Sequence, residues 1–215
     1  MLSERFDLFV PDFPGFGVTP YRPGSAKIDD STEILMDLIG DISKDGPIFI
    51  VGHSLGGIIG TRVAKKLSGK VKGYVSIEGN MTREDTFATS LTEGYDDPEK
   101  FYDFFLGFVL EQIKDSNVLQ RYFASMRLSH PEALLIWGKD CVEATGETRA
   151  GEEFLDLECE TLFVWGDKSL PEMTKEFISA HKIRNREIKR SSHWPMIDNS
   201  EICYGAIFNF FLELI

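Results

Sequence analysis

The feature that most restricts the fold is an apolar run that leads directly into a glycine-rich turn and then into a helical pattern. The run is 48–51, and the turn has the sequence GHSLGG at 52–57. A strand that passes into a helix through so short a turn strains the backbone at the apex, which only small neighbours tolerate. The pattern predicts a nucleophile elbow, in which Ser54 is held out at the end of a strand. The amide of Leu55, at the helix N-terminus, points its positive dipole end at the same place.

Short apolar runs alternate with longer amphipathic stretches along the chain, which is typical of an α/β fold with a mostly parallel sheet flanked by helices. The runs predict five strands, at 6–10, 48–51, 71–77, 161–165 and 186–189. The second strand is apolar on both faces, as a central parallel strand should be, and the fifth carries enough charge to belong towards a sheet edge. The main flanking helices are predicted from about Asp30, over 55–67 and over 201–214.

The stretch between the third and fourth predicted strands is too long for a simple crossover and has a helical pattern of its own. We therefore predict a helical cap or lid at 81–156, inserted into a core formed by 1–80 and 157–215. Aromatic and aliphatic residues fall on one helical stripe, at 101, 104, 105, 108, 109 and 113. We expect such residues to pack within the cap and onto the sheet. Four aromatic residues of the predicted cap are also candidates for lining a pocket: Phe101, Tyr102, Phe105 and Tyr122.

Composition limits the classes of partner. The 215 residues carry a formal net charge of −12, with a sequence pI near 4.8, which disfavours nucleic acids and anionic membranes. No apolar run approaches the ~18–20 residues of a membrane span, and the N-terminus does not resemble a signal peptide. The three cysteines have no metal-ligand spacing, and their odd number argues against a disulfide framework. We expect a cytoplasmic protein without metal or organic cofactor.

Three further segments resemble parts of the α/β-hydrolase superfamily, as the turn at 52–57 does. VPDFPGFG at 10–17 is similar to the segment before the elbow helix in that family, LFVWGD at 162–167 to its penultimate strand, and SSHWPM at 191–196 to its histidine loop. The resemblance covers nearly all of 6–215. It implies an α/β-hydrolase fold that lacks the first strands and carries a helical cap.

The resemblance also implies a catalytic triad in the family's chain order of serine, acid and histidine. Ser54 would be the nucleophile. His193 would be the base, because it follows the last predicted strand in a short polar loop. The other histidines are weaker candidates, since His53 is locked inside the elbow and both His130 and His181 lie in helical or polar surroundings.

The acid of the triad stays open among three carboxylates. The family most often has an aspartate three residues after the glycine that ends the penultimate strand, but counting from Gly166 gives Ser169. Some members instead carry the acid after the earlier strand that here ends just before Glu78, so the resemblance favours that residue. Asp167, two residues short of the usual position, and Asp85 are the alternatives, and so is a site without any acid.

A second departure from the family concerns the oxyanion hole. In the family, a glycine-bearing loop after an earlier strand supplies its second amide, and this sequence begins only a few residues before the segment at 10–17. We expect that loop to be missing, which leaves the Leu55 amide; one lost donor can cost ~100–1000-fold in rate. We also expect an exposed edge of the sheet that invites homodimer formation.

The residues and the resemblance together imply a serine hydrolase that cleaves small to medium carboxylic esters through an acyl-enzyme intermediate, with a small-molecule acyl substrate. A serine nucleophile argues against dehalogenase and epoxide hydrolase chemistry, which in this fold uses an attacking aspartate. The fold does not separate ester, thioester, amide and carbon–carbon bond hydrolysis. The alternative is a catalytically impaired relative that binds a ligand or a partner.

Overall fold

In the computed structural model, which describes residues 2–43, 46–113 and 116–215, four strands form one sheet. They are β1 (Ile48–His53), β2 (Val71–Ile77), β3 (Glu160–Gly166) and β4 (Asn185–Ile188). Their spatial order is β1-β2-β3-β4, and each neighbouring pair is parallel. The carboxyl ends of all four strands therefore meet at one edge of the sheet, where open α/β sheets place their functional residues.

Helices connect and flank these strands. In the described part of the chain they are α1 (Ile28–Ile42), α2 (Leu55–Lys66), α3 (Pro98–Ile113), α4 (Asn117–Met126), α5 (Pro131–Thr145), α6 (Arg149–Leu155), α7 (Glu172–Ala180), α8 (Pro195–Asp198) and α9 (Ser200–Leu212). Short 3₁₀ turns lie at Leu2–Glu4, Arg83–Thr86 and Thr89–Thr92. In the described residues, none of these helices is long and apolar enough to cross a membrane.

The parallel α/β class and the four predicted strands from residue 48 onward are confirmed, but the prediction of a strand at 6–10 is wrong. This segment has no strand structure, and Phe9 and Val10 are 58% and 92% exposed. The expectation that 48–51 is a central strand is also wrong, because β1 lies at an edge and Val51 is 46% exposed. An apolar run gives β propensity, whereas a strand also needs a neighbour for its ladder hydrogen bonds. Self-association through this edge stays a prediction.

Side chains from both faces of the sheet are buried, which is why the central strands read as continuous apolar runs. Successive residues of a strand point to opposite faces, so β2 and β3 each contribute to two clusters. One cluster joins the strands to α9: Val75, Ile77, Leu162, Val164, Ile188, Cys203, Ile207, Phe210 and Phe211. The other joins them to α6 and α7: Tyr74, Met81, Phe154, Phe163, Leu170, Phe177, Ile178 and Ile183.

The chain forms two compact units. The first contains the sheet and comprises Met1–Leu8, Thr32–Thr86 and Ala144–Ile215, and the second comprises Phe9–Ser31 and Phe87–Glu143. The second unit thus combines a segment near the N-terminus with the helices α3 and α4 and most of α5. The division into a core and a cap at 81–156 stays a prediction about domain organisation.

Within the second unit, the aromatic stripe of α3 forms a small core. Phe101 and Phe105 are 2% and 4% exposed and pack in a cluster with Leu135 of α5. Burial raises the pKa of Tyr122 to about 12. The hydroxyl of Tyr102 donates to a backbone oxygen at the end of α4. Packing thus accounts for Phe101 and Phe105, while a pocket lined by these aromatic residues stays a prediction.

The segment at 10–17 belongs to this second unit and packs against the start of α5. The His130 amide donates to the Gly15 oxygen at 2.7 Å, and a Cβ atom at Gly15 would lie 2.4 Å from the Ala133 Cβ. The ring of Trp137 contacts Phe13 and Phe16 at centroid distances of 5.3 and 4.5 Å. Glycine at position 15 is therefore required by close approach as well as by its positive φ of 85°.

Candidate active site

Ser54 lies at the apex of the turn between β1 and α2. Its φ of 54° and ψ of −127° are strained for a residue with a side chain. Two backbone hydrogen bonds hold it there: its amide donates to Ile77 at 3.0 Å, and its oxygen accepts from Gly57 at 2.7 Å. A Cβ atom at Gly52 would lie 2.3 Å from the Gly56 oxygen, so the turn needs glycine at that position. The strand–turn–helix arrangement predicted from GHSLGG is present.

The first turn of α2 packs directly on the end of β2. A Cβ atom at Gly57 would lie 2.7 Å from the Cα atom of Gly79, so the two backbones touch where other residues would hold them apart. The buried Tyr74 hydroxyl of β2 donates to the Gly57 oxygen at 2.5 Å and so ties the first turn of α2 to the sheet. This close approach brings the turn that follows β2 alongside Ser54.

Glu78 is the first residue after β2 and has a positive φ of 46°. Its amide donates to Val164 of β3 at 2.8 Å. Its side chain is only 3% exposed, and Oε1 accepts hydrogen bonds from the Gly166 amide at 2.6 Å and the Ser169 hydroxyl at 3.0 Å. The other oxygen, Oε2, lies 3.3 Å from Nδ1 of His193. A buried carboxylate with these donors around it is well satisfied and held in one orientation.

Ser169 occupies the position at which the family most often has its aspartate. From the sequence alone, Ser169 indicates only the loss of the usual acid, because a hydroxyl cannot stabilise an imidazolium as a carboxylate does. In the structure its hydroxyl donates to Glu78 instead. The signal that could have found this role is the pairing of a missing aspartate after β3 with an extra carboxylate after β2, since both strand ends lie at the same edge.

His193 lies in the loop after β4, and its side chain is 35% exposed. Asp198 accepts hydrogen bonds from both the amide and the hydroxyl of Ser192, at 2.7 and 2.8 Å. The loop also presses against the end of β3, where a Cβ atom at Gly166 would lie 2.3 Å from the Ser192 oxygen. The backbone that precedes His193 is thus fixed, and Nδ1 of the His193 ring faces the carboxylate of Glu78.

The two alternative acids make different contacts. Asp167 accepts a hydrogen bond from the Ser191 amide at 3.1 Å, and this bond holds the pKa of Asp167 below its usual range. Asp85 accepts from two amides of its own loop and, at 2.9 Å, from the hydroxyl of Thr174; burial nevertheless raises its pKa. Both carboxylates hold backbone segments. Of the three candidates, Glu78 is the one that the structure brings to the His193 ring.

His53 has a contact that the sequence analysis missed. Its Nε2 atom lies 2.8 Å from the backbone oxygen of His193, so the residue before the candidate nucleophile touches the loop of the candidate base. Burial, and secondarily the nearby His193, lowers the pKa of His53 to about 3. No local pattern indicates this contact, because the two residues are 140 positions apart.

The described residues place a carboxylate and an imidazole in contact beside a serine at a helix N-terminus. Ser54 and His193, both within the described ranges, are not joined by a hydrogen bond; such bonds are often long before substrate binds. Leu55 begins α2, so its amide is among those that have no carbonyl partner inside the helix and can bind an anion. Nowhere in these ranges do three histidine, cysteine or acidic side chains form a metal-binding group.

Comparison with protein families gives one match. The sequence matches the model of the alpha/beta hydrolase family over residues 1–204, which is nearly the whole chain. Comparison with curated proteins gives no significant match.

Several solved structures have the same fold at low sequence identity. An esterase from Thermogutta terrifontis, with malate bound, superposes with a TM-score of 0.76 at 18% identity, covering 99% of this chain and 82% of its own. A carboxylesterase from Nitrososphaera gargenis gives 0.71 at 16%, covering 94% and 78%. An esterase from Exiguobacterium antarcticum gives 0.70 at 14%, covering 93% and 79%. At such identities the likeness shows the fold alone.

Proposed function

Because the chain belongs to the alpha/beta hydrolase family, we propose that it is a serine hydrolase that cleaves small to medium carboxylic esters through an acyl-enzyme intermediate. The observation that carries the proposal is the 3.3 Å contact between Glu78 Oε2 and His193 Nδ1. A carboxylate at Nδ1 keeps the proton on that nitrogen, so Nε2 is left as the acceptor for the proton of Ser54.

In the proposed reaction, Ser54 Oγ attacks the ester carbonyl carbon while its proton passes to His193 Nε2. The negative charge that forms on the carbonyl oxygen is stabilised by the Leu55 amide and the N-terminus of α2. The imidazolium is stabilised by the buried carboxylate of Glu78. The ester C–O bond then breaks, and His193 gives its proton to the departing alkoxide, which leaves as an alcohol. The acyl group stays bonded to Ser54 Oγ. Water, deprotonated by His193, attacks that acyl group, and the carboxylic acid is released.

The proposed substrate carries an apolar or aromatic group rather than an anionic one. The formal net charge of −12 repels anions at long range. An uncharged acyl or alcohol group meets no such repulsion. A panel of p-nitrophenyl esters with acyl chains of increasing length, together with phosphorylated and dicarboxylic esters, tests this choice. Fastest turnover of the anionic esters would contradict it.

A fluorophosphonate probe tests the nucleophile directly, because an activated serine reacts with it and an idle serine does not. We expect the wild-type chain to be labelled at Ser54 and to hydrolyse p-nitrophenyl butyrate. Ser54→Ala should lose both activities while its circular dichroism stays unchanged. Ser125→Ala, which removes an exposed hydroxyl on α4, is the matched control and should react at the wild-type rate. Turnover by Ser54→Ala close to the wild-type rate would refute the assignment.

A second candidate function is ligand or partner binding without turnover. The observation that favours it is that Ser54 and His193, both described, are not hydrogen-bonded. The same probe separates the two functions. A folded wild-type chain that neither reacts with the fluorophosphonate nor hydrolyses any ester of the panel would support binding and would count against the hydrolase.

A further inference from the structure

His53 connects the turn that carries Ser54 with the loop that carries His193. Its Nε2 atom lies 2.8 Å from the His193 backbone oxygen, and the centroids of the two imidazole rings are 4.8 Å apart. A carbonyl oxygen can only accept, so Nε2 of His53 carries the proton and donates it. Since His53 immediately precedes Ser54, this bond ties the backbone of the candidate base to the neighbour of the candidate nucleophile.

The carboxylates that hold the same loop belong to other parts of the first unit. Asp167 follows β3 and accepts from the Ser191 amide. Asp198 ends α8 and accepts from Ser192. Neither of these elements carries the nucleophile. The bond from His53, by contrast, links the loop directly to the residue that precedes Ser54.

The charge state of His53 suits this role. Its pKa is lowered to about 3 by burial and by the neighbouring His193, so the ring is neutral at physiological pH. A neutral donor holds the carbonyl without placing a positive charge 4.8 Å from a ring that must itself become positive during the reaction. A lysine or arginine in the same place would oppose that step.

We propose that His53 is a positioning residue, which sets the geometry between Ser54 and His193 by donating Nε2–H to the His193 carbonyl. It takes no part in proton transfer to the substrate. This inference rests on the proposed hydrolase function and deepens it, because it names a residue outside the triad on which the rate depends.

Two substitutions separate the hydrogen bond from the space that the ring fills. In His53→Gln, the side-chain amide nitrogen lies close to the position of Nε2 and retains a donor. In His53→Phe, the ring remains but the donor is lost. We expect His53→Phe to lower kcat and the rate of fluorophosphonate labelling by about 10–100-fold, the scale of a misplacement of about 1 Å. KM should stay within about twofold, since misalignment of the reacting groups does not change uniform substrate binding. His53→Gln should recover most of the rate.

The experiment measures kcat, KM, the labelling rate and the thermal midpoint of each variant. If His53→Phe is too unstable to assay, His53→Asn replaces it, because its shorter amide does not reach the carbonyl and the same loss is expected. A folded His53→Phe or His53→Asn that reacts at the wild-type rate would overturn the proposal. Equal losses in the Gln and Phe variants would also overturn it, because the shape of the ring rather than its donor would then be responsible.

An independent measurement distinguishes failure of this inference from failure of the hydrolase function. A wild-type chain that does not react with the probe counts against the hydrolase, but the bond can still be observed by ¹⁵N NMR of the imidazole rings. We expect His53 to stay neutral with its proton on Nε2 from pH 8 to pH 5. A His53 ring that titrates near its ordinary value of 6.5, or that carries its proton on Nδ1, would refute the inference.

Discussion

The substitution Glu78→Gln removes the negative charge beside His193 and keeps the length and shape of the side chain. The amide oxygen can still accept from the Gly166 amide and the Ser169 hydroxyl, as Oε1 does now. The NH₂ group must then face Nδ1 of His193. Because two donors cannot bond to each other, His193 is driven to carry its proton on Nε2, and in that tautomer it cannot accept the proton of Ser54.

The size of the effect follows from the distance between the two groups. His193 Nδ1 and Glu78 Oε2 are 3.3 Å apart, and the glutamate side chain is 3% exposed. Unit charges at this separation attract by about 5 kcal/mol if the effective dielectric constant is about 20. This attraction appears only when His193 becomes positive, so its full loss corresponds to a rate decrease of about 10³–10⁴-fold. Because water and nearby dipoles replace part of it, we expect kcat to fall by about 10²–10⁴-fold.

The assay is the hydrolysis of p-nitrophenyl butyrate at pH 6–9, with kcat and KM determined separately and folding followed by circular dichroism. Asp167→Asn is the matched control, because it also removes one carboxylate charge near the histidine loop. Asparagine keeps an oxygen that can accept from the Ser191 amide, so the control should change the rate by less than about threefold, equivalent to less than ~1 kcal/mol.

Two outcomes would refute this reasoning. A folded Glu78→Gln variant with a rate near that of the wild type would show that the carboxylate does not support the base. A larger loss in Asp167→Asn than in Glu78→Gln would show that the acid follows β3 after all, as it most often does in the family.

Three further predictions concern neighbouring residues. Ser169→Ala removes a donor to Glu78 and should lower kcat by about 3–10-fold, the effect of one hydrogen bond of about 1 kcal/mol; Ser169→Thr, measured in the same ester assay, should retain the rate. Gly166→Ala places a methyl group 2.3 Å from the Ser192 oxygen, so the free energy of unfolding in urea should fall by about 1–3 kcal/mol. An unchanged free energy of unfolding would show that the histidine loop moves to make room for the methyl group. The pKa of His53 is lowered from 6.5 to about 3 in the folded chain. Only the unfolded chain binds this proton between those pH values, so stability should fall as the pH drops below 6.5, and less steeply in His53→Gln; equal slopes in urea titrations at several pH values would contradict this.

The local part of the candidate site could be predicted from the sequence. The turn around Ser54 depends on residues that are adjacent in the chain, and its glycines are needed for contacts within a few positions, such as Gly52 with Gly56. Glu78 could be proposed because a carboxylate that ends an apolar strand is placed by the strand itself. Patterns of this kind are visible because their cause is local.

The remaining features depend on contacts between distant segments. The bond from His53 to His193 spans 140 positions, and that from Ser169 to Glu78 spans 91. The apolar residues at 6–10 resemble a strand, but whether they pair depends on a neighbour that the sequence pattern does not show. Phe6 of this run packs on the sheet, with its ring centroid 5.4 Å from that of Phe49.

The position of the candidate acid directly after β2 also affects how the site assembles during folding. β1, α2 and β2 are consecutive, and the Ser54 amide bonds to the end of β2. The candidate nucleophile and the candidate acid therefore come together by closing a short loop, which costs little entropy. His193 is 115 positions from Glu78 and must dock across most of the chain. The sequence through Glu78 thus contains the candidate nucleophile and the candidate acid but not the candidate base. Under the proposed function, hydrolysis therefore requires that the C-terminal segment has docked, because that segment supplies His193 and the donors that hold Glu78.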